Sequence, residues 1–213
     1  MSRSGPGEER LQACLAILAG GRSERMGAPK HLIALPEEAG AVTLLQFLLG
    51  RFQSAFSEVV IAASPDTLPA ELRELARADR LPDRGPLAGI EAALAAATSE
   101  VILVLACDLP LAQLATARNL TRLALAHDAA WARHQGRAQP LFGAYRKSTL
   151  SRIRAALDEH RLQVGALADV LDVAYVEVGD HELTNVNTPQ DLEALKARLR
   201  AGGQSASPYR AEA

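Results

Sequence analysis

Residues 14–30 read Cys14-Leu-Ala-Ile-Leu-Ala-Gly-Gly-Arg-Ser-Glu-Arg-Met-Gly-Ala-Pro-Lys30. The apolar run over residues 14–18 predicts a buried β-strand. Glycines end the strand, and the cationic residues after them are typical of a phosphate-binding loop, because glycine lets backbone N–H groups approach an anion. The alternative is a strand-to-helix turn with solvated arginines, since neither the P-loop spacing nor G-x-G-x-x-G occurs here.

The composition excludes several classes of protein. The 23 Lys and Arg residues nearly balance the 25 Asp and Glu residues, so no basic field favours nucleic acid, and the 4% of aromatic residues argues against a base-stacking platform. No apolar run is long enough for a membrane span, and residues 2–10 are too polar for a signal peptide. We therefore expect a cytoplasmic protein. Cys14 and Cys107 adjoin apolar runs, which predicts buried thiols rather than a disulfide.

Strand and helix patterns alternate along the chain, which predicts a single-domain α/β fold with a doubly wound, mostly parallel sheet. The predicted strands are residues 14–18, 58–63, 79–81, 101–106, 129–133, 140–145 and 173–178. The predicted helices are residues 42–56, 70–78, 90–97 (continuing from Gly85-Pro-Leu-Ala-Gly89), 111–126, 146–160, 163–171 and 189–200. The strands at 129–133 and 140–145 bracket a polar turn and predict a small hairpin extension.

The composition of both chain termini predicts segments without regular structure. Gly5-Pro6-Gly7 opposes a helix, and residues 201–213 are rich in Gly, Ser and Ala. We expect a flexible N-terminal tail over residues 1–11, one domain over 12–200, and a disordered C-terminal tail over 201–213.

Asp108 is the first candidate for chemistry. It directly follows the most hydrophobic predicted strand, and ligands of doubly wound sheets bind at the carboxyl ends of such strands. The loop after Gly20 should therefore face it. The carboxylate could pair structurally with Arg25 or Lys30, act as a general base, or hold Mg²⁺, which takes one or two carboxylates plus substrate phosphates.

Five motifs in order resemble those of the nucleotidyltransferases related to molybdenum cofactor guanylyltransferase. The motifs are Leu18-Ala-Gly-Gly-Arg-Ser-Glu-Arg-Met-Gly-Ala-Pro-Lys30, Asp83-Arg-Gly-Pro-Leu-Ala-Gly89, Cys107-Asp-Leu-Pro110, Gln139-Pro-Leu141 with Tyr145, and Asn185-Val-Asn-Thr-Pro189. Together they cover residues 14–195. The resemblance implies a Rossmann-like nucleotidyltransferase fold and transfer of GMP from GTP to the terminal phosphate of molybdopterin, with release of pyrophosphate.

The resemblance also implies roles for individual residues. Arg25, Lys30 and Asp108 would be catalytic, and Asp108 would bind Mg²⁺. Arg25, Asn185 and Asn187 would contact the second substrate. The nucleotide would be bound by Leu18, Ala19, Gly20, Gly21, Arg22, Lys30, Asp83, Gly85, Pro86, Leu87, Gly89 and Asp108.

The implied partners are GTP, molybdopterin, and the molybdoenzymes or cofactor-insertion proteins that receive the product. Neither nucleic acid nor a membrane is implied. Gly20 leaves room for a purine where related cytidylyltransferases usually carry alanine, which favours GTP. Two alternatives stay open: a cytidylyltransferase acting on molybdopterin or on a small phosphorylated alcohol, and a nucleotide-binding homologue without catalytic activity.

Overall fold

The computed structural model describes residues 10–20, 29–35 and 42–201, which fold into an α/β structure with one sheet. In chain order the elements are β1 (Leu11–Leu18), α1 (Leu44–Phe52), β2 (Phe56–Ala62), β3 (Ala76–Arg77), α2 (Pro86–Ala96), β4 (Val101–Ala106), α3 (Leu114–Leu123), β5 (Ala129–His134), β6 (Arg137–Arg146), α4 (Leu150–Asp158), β7 (Val173–Glu177) and α5 (Pro189–Ala201).

The strand order of the sheet is β3-β2-β1-β4-β6-β5-β7. Neighbouring strands from β3 to β4 are parallel. Strand β6 is antiparallel to both β4 and β5, and β7 is parallel to β5. All strands except β6 therefore end at the same edge of the sheet. The mostly parallel sheet predicted from the sequence is confirmed, with β4 at its centre.

Both faces of the sheet are covered by helices. Ala13, Leu15 and Ile17 of β1 belong to a core cluster with α1, α3 and α5. Cys14, Ala16 and Leu18 alternate with them and belong to the cluster formed with α2 and α4. This arrangement explains the uninterrupted apolar run in the sequence, because a parallel strand buried on both faces has no solvated side.

The predicted hairpin forms, but it is part of the main sheet rather than an extension of it. Strands β5 and β6 pair across the turn, with a bulge between Trp131 and Ala132. Strand β6 also pairs with β4, and Phe142 and Ala144 are fully buried. Gly143 lets the backbone of β6 lie close to the Trp131 side chain, since a Cβ at this position would lie 2.6 Å from Cδ1 of Trp131.

The segment between β2 and α2 differs most from the prediction. The predicted helix at 70–78 is a 3-10 helix at Ala70–Leu75, in which only Leu72 is buried, and β3 follows it directly. The predicted strand at 79–81 is wrong. Strand β3 lies at Ala76–Arg77, where it pairs with Ile61 and Ala62. Residues 79–81 therefore follow the end of an edge strand instead of forming one.

Several helices are shorter than predicted, because local caps and 3-10 turns end them. Helix α1 begins after a capping box between Thr43 and Gln46 and gives way to a 3-10 turn before β2. The predicted helix at 163–171 is a 3-10 helix at Val164–Asp169. The predicted tails fall mostly outside the described residues, although β1 already begins at Leu11. Among the described helices, none is long and apolar enough to cross a membrane.

Both cysteines are buried free thiols, as predicted. Burial, followed by the nearby Glu58, raises the pKa of Cys14 to about 12. This side chain therefore stays protonated near neutral pH and serves packing rather than chemistry.

Candidate active site

The candidate site lies at the edge of the sheet where β1, β2 and β4 end. Leu18 is paired with Ala62 on one side and with Ala106 on the other. The residues after the strands continue the pairing, because the Ala19 N–H donates to the Ala62 carbonyl at 3.1 Å and the Cys107 N–H donates to the Leu18 carbonyl at 3.1 Å. The chain thus turns away from three neighbouring strands at one place.

A cleft of about 690 Å³ opens at this edge. Of the residues predicted to bind the nucleotide, those that line the cleft are Leu18, Ala19, Gly20, Asp83, Gly85, Pro86, Gly89 and Asp108. Leu87 does not line it, because its fully buried side chain packs in the core between α2 and the sheet. A cleft of this size holds a ligand as large as a nucleotide.

The wall on the α2 side depends on two glycines. Gly85 has φ 67° and ψ −164° at the start of α2, a conformation that side-chain-bearing residues rarely adopt. Gly89, one turn further, faces the ends of the strands. A Cβ at Gly89 would lie 3.3 Å from Leu18 and 3.4 Å from Ala62, so the absence of a side chain lets the helix lie close to the sheet.

Gly20 differs from Gly85 and Gly89, because neither its backbone conformation nor its packing requires glycine. A Cβ at this position would lie 3.6 Å from the Ala62 carbonyl oxygen, which is an ordinary contact, and the backbone is not left-handed. The protein around Gly20 therefore does not require glycine. Since Gly20 lines the cleft, the missing side chain enlarges the space available to a ligand.

Asp79 also lines the cleft, although it was not among the site residues predicted from the sequence. It is half-buried, and a Cβ built on Gly89 would lie 3.8 Å from its Oδ1 atom. Burial, and then the negative charge of Glu91, raises its pKa above the usual aspartate value. The missed signal is the position of β3: once the strand ends at Arg77, Asp79 falls just beyond a strand end, where ligand-binding residues of such sheets lie.

Asp83, the predicted acid of this loop, lies at the exposed mouth of the cleft. Its φ of 60° is uncommon for a residue with a side chain. Strained backbone of this kind is concentrated at binding sites, where surrounding structure holds it in place. The cleft therefore has two acids on its α2 side, Asp79 deeper and Asp83 nearer solvent.

Asp108 lies on the opposite side of the cleft, in the turn directly after β4. The turn is fixed through its backbone, because the Leu109 N–H donates to the Ala106 carbonyl at 3.1 Å and the Val186 N–H donates to the Asp108 carbonyl at 2.9 Å. Arg51 donates a further hydrogen bond to the Pro110 carbonyl. Asp108 is half-buried and lines the cleft, so it is accessible to a ligand.

The bond between Val186 and Asp108 brings the segment that carries the predicted asparagines next to the turn after β4, although neither asparagine lines the cleft. Asn185 and Asn187 flank Val186, and both are half-buried. The segment is held in turn by Asp191, which accepts from the Asn187 N–H at 2.9 Å and from the Thr188 N–H at 2.8 Å. Residues more than 75 positions apart in sequence therefore meet beside Asp108.

Part of the predicted cationic loop lies outside the described residues. These residues are Gly21, Arg22 and Arg25. Lys30 begins a 3-10 turn at Lys30–Leu32. The described part of the structure includes the backbone of Lys30 and not its side chain. Its neighbour His31 lines the cleft and is 5% exposed, and the His31 Nε2 atom lies 2.9 Å from the Thr67 carbonyl oxygen. That bond ties the segment after the loop to the segment after β2.

A smaller hollow of about 330 Å³ lies at the turn between β5 and β6. It is lined by His134, Gln135, Arg137 and Asp180. Strand β5 is parallel to β7 and, through β6, to β4, so this hollow opens at the same edge of the sheet as the cleft. Arg133 is not part of the hollow: it pairs with Glu177 at 2.6 Å and lies 4.5 Å from the centre of the Tyr175 ring.

Among the described residues, no group of three or more His, Cys, Asp or Glu side chains could hold a metal ion by itself. The donors present are oxygen atoms of single carboxylates, with Asp108 the acid at the end of the central strand. This set fits Mg²⁺, which is usually held by one or two carboxylates together with substrate phosphates and water. It does not fit a structural zinc site, which needs four protein ligands.

Comparison with known proteins gives one family. The model of the MobA-like NTP transferase domain matches residues 15–178. A relative named probable molybdenum cofactor guanylyltransferase, from Pelotomaculum thermopropionicum, is 36% identical over 199 residues, which are 90% of this chain and 94% of the relative.

Two solved structures have the same fold. One is a molybdopterin-guanine dinucleotide biosynthesis protein A from Archaeoglobus fulgidus, with a TM-score of 0.75, 21% identity, and coverage of 88% of this chain and 99% of that chain. The other is a 2-C-methyl-D-erythritol 4-phosphate cytidylyltransferase from Thermus thermophilus, with a TM-score of 0.65, 22% identity, and coverage of 88% and 98%. At these identities the likeness concerns the fold alone.

Proposed function

The chain belongs to the MobA-like NTP transferase family, and from this membership and its cleft we propose that it transfers GMP from GTP to the terminal phosphate of molybdopterin. Relatives named molybdenum cofactor guanylyltransferase support a nucleotidyltransferase role in molybdenum cofactor biosynthesis. The observation that carries the finer proposal is the arrangement of one cleft, in which Gly20, Asp79 and Asp108 come together from three separate parts of the chain.

The guanine base is assigned to the α2 side of the cleft. Guanine presents two neighbouring donors, its N1–H and its 2-amino group, and a carboxylate accepts from both. Asp79 is the better buried of the two acids there, and a hydrogen bond is electrostatically stronger where water is excluded. The space left by Gly20 is consistent with the larger ring system of a purine.

The triphosphate is assigned to the region between Gly20 and Asp108. Mg²⁺ bound by Asp108 would neutralise phosphate charge there. Lys30 and Arg25 would add positive charge over the reacting phosphates, by resemblance to the family. The terminal phosphate of molybdopterin is already an anion, so the chain needs no strong base. Its residues instead position two anionic groups and offset their repulsion.

The second substrate is assigned to the side of Asp108 where Asn185 and Asn187 lie. Asparagine amides donate hydrogen bonds to phosphate oxygens without bringing further charge. The backbone bond between Val186 and Asp108 holds the backbone of this segment beside the turn that carries Asp108.

Nucleotide preference tests this proposal. We expect GTP with Mg²⁺ to raise the melting temperature of the protein more than CTP or ATP does, because ligands that bind only the folded state stabilise it. At a ligand concentration about 100 times the dissociation constant, the gain is about 2.7 kcal/mol. Differential scanning fluorimetry with each nucleotide measures the effect.

Two outcomes of that experiment would contradict the proposal. A larger shift with CTP than with GTP would favour a cytidylyltransferase of the same fold. A shift with GTP that is the same with and without Mg²⁺ would argue against the metal-assisted arrangement at Asp108. CTP and ATP serve as matched controls, since they carry the same triphosphate and differ only in the base.

A further inference from the structure

The loop that carries Asp79 is attached to α2 and α4 by four charged residues. Glu91 of α2 is 1% exposed, and its Oε1 atom accepts from Nε of Arg154 of α4 at 2.7 Å. Nε of Arg80 lies 3.6 Å from the same oxygen. Nη2 of Arg80 also donates to Asp158 of α4 at 3.2 Å. Arg80 is thus held by carboxylates of two helices.

Arg80 and Asp79 make different contacts, although both lie near α2. Asp79 lines the cleft together with Ala78, Pro82 and Asp83, whereas Arg80 is absent from the lining and reaches the α2–α4 side. Arg80 directly follows Asp79 in the chain, so ion pairs that hold Arg80 restrain the backbone of the loop that carries Asp79.

Glu91 is an unusual residue for its position. Helix α2 is otherwise apolar over Pro86–Ala96, and a buried carboxylate is expensive unless it is paired. The ion pairs with Arg154 and Arg80 offset the cost of burying the Glu91 carboxylate. Packing against the apolar neighbours does not require a charged residue at this position. Its carboxylate is hydrogen-bonded to Arg154 and also forms an ion pair with Arg80, the residue that follows Asp79.

We propose that Arg80, anchored by Glu91 and Asp158, is a positioning residue that sets the base selectivity of the cleft by holding the loop that carries Asp79. This inference rests on the proposed function, because it needs Asp79 to contact the guanine. Arg80 itself does not touch the nucleotide. Its loss should therefore affect the binding of the base, and not the transfer step.

The raised pKa of Asp79 supports the arrangement. The negative charge of Glu91 contributes to raising the pKa of Asp79. Arg80, which directly follows Asp79, forms an ion pair with Glu91. Among the described contacts, removing Arg80 leaves Glu91 paired with Arg154. Asp79 would then be both less well oriented and more strongly repelled.

The test compares Arg80→Ala, Arg80→Lys and the control Arg161→Ala. The control removes a surface arginine of similar exposure, 46% against 43%, that pairs only with Glu159 in the described contacts. Binding of GTP and of inosine triphosphate, which lacks the 2-amino group, is measured by calorimetry, and amide hydrogen exchange is measured over residues 78–83. Arg80→Ala keeps the Glu91–Arg154 pair, so the variant should fold.

We expect Arg80→Ala to weaken GTP binding about fivefold and inosine triphosphate binding about twofold, which is the size expected for losing ion pairs at a partly exposed residue. Exchange over residues 78–83 should become faster, kcat should stay near the wild-type value, and Arg80→Lys should restore most of the GTP affinity. Arg161→Ala should behave as wild type.

Two results would overturn the inference, and they are distinguishable. If Arg80→Ala keeps both affinities and the wild-type exchange over residues 78–83, Arg80 does not position the loop, and the proposed function still stands. If the wild-type protein binds inosine triphosphate as tightly as GTP, the contact between Asp79 and guanine is itself wrong, and the role of Arg80 is lost with it.

Discussion

Asp108→Asn is expected to lower turnover more than 100-fold while leaving the fold intact. Losing one well-placed group that stabilises transition-state charge typically costs about 3 kcal/mol, or roughly 100-fold in rate. The effect of Asp108→Asn on the rate should be larger than about 100-fold. Asparagine is a neutral and poor ligand for Mg²⁺, so the variant loses the carboxylate charge and binds the metal more weakly. Steady-state release of pyrophosphate measures the effect.

The fold should tolerate this change, because the turn around Asp108 is held by backbone hydrogen bonds. The bonds from Leu109 to Ala106 and from Val186 to Asp108 involve no side chain. We expect the free energy of unfolding to change by less than about 1 kcal/mol. Asp169→Asn is the matched control, since Asp169 is an exposed aspartate of the 3-10 helix at Val164–Asp169.

A binding experiment separates the metal role of Asp108 from a structural one. With Mg²⁺, Asp108→Asn should bind GTP more weakly than wild type does. With EDTA it should bind GTP at least as tightly, because a neutral amide then replaces a carboxylate beside the triphosphate. Wild-type turnover in the variant, or equal loss of affinity in both buffers, would contradict the assignment of Asp108.

Asp79→Asn is expected to weaken GTP binding by up to about 100-fold with little change in kcat. A bidentate contact to a base contributes about 1–3 kcal/mol of discrimination. Asparagine offers one acceptor and one donor where guanine presents two donors, so one contact becomes a mismatch. Inosine triphosphate should lose less affinity, since it presents only the N1–H. Calorimetry with both nucleotides measures the change.

The same variant should not lose stability. Burial and the charge of Glu91 raise the pKa of Asp79, so ionising this carboxylate costs more in the folded protein than in the unfolded chain. Removing the charge should leave the melting temperature unchanged or raise it. Weaker GTP binding together with equal or higher stability would identify Asp79 as a functional residue. Unchanged GTP affinity would show that Asp79 does not contact the base.

The sequence predicts the centre of this protein better than its periphery. Strand β4 is recognisable because it is buried on both faces, and Asp108 follows from its end. The short edge strand β3 has no such pattern, since only Ala76 of its two residues is buried. Asp79 was missed for that reason, because a strand expected at 79–81 hid a residue that follows a strand end.

Tertiary pairing explains the other differences. Nothing in residues 137–146 reveals that β6 inserts between β4 and β5, because the register depends on partners distant in sequence. Leu87 was assigned to the nucleotide through its motif, yet its position in the first turn of α2 directs its side chain into the core. The ion pairs of Arg80 likewise join residues up to 78 positions apart, which periodicity does not reveal.

The most direct test of the central proposal is the stoichiometry of the reaction itself. Purified protein is incubated with GTP, molybdopterin and Mg²⁺, and pyrophosphate and dinucleotide are measured together. We predict one pyrophosphate and one molybdopterin guanine dinucleotide for each GTP consumed, and no pyrophosphate when molybdopterin is omitted. Absence of pyrophosphate with both substrates present, or faster turnover with CTP than with GTP, would contradict the proposal.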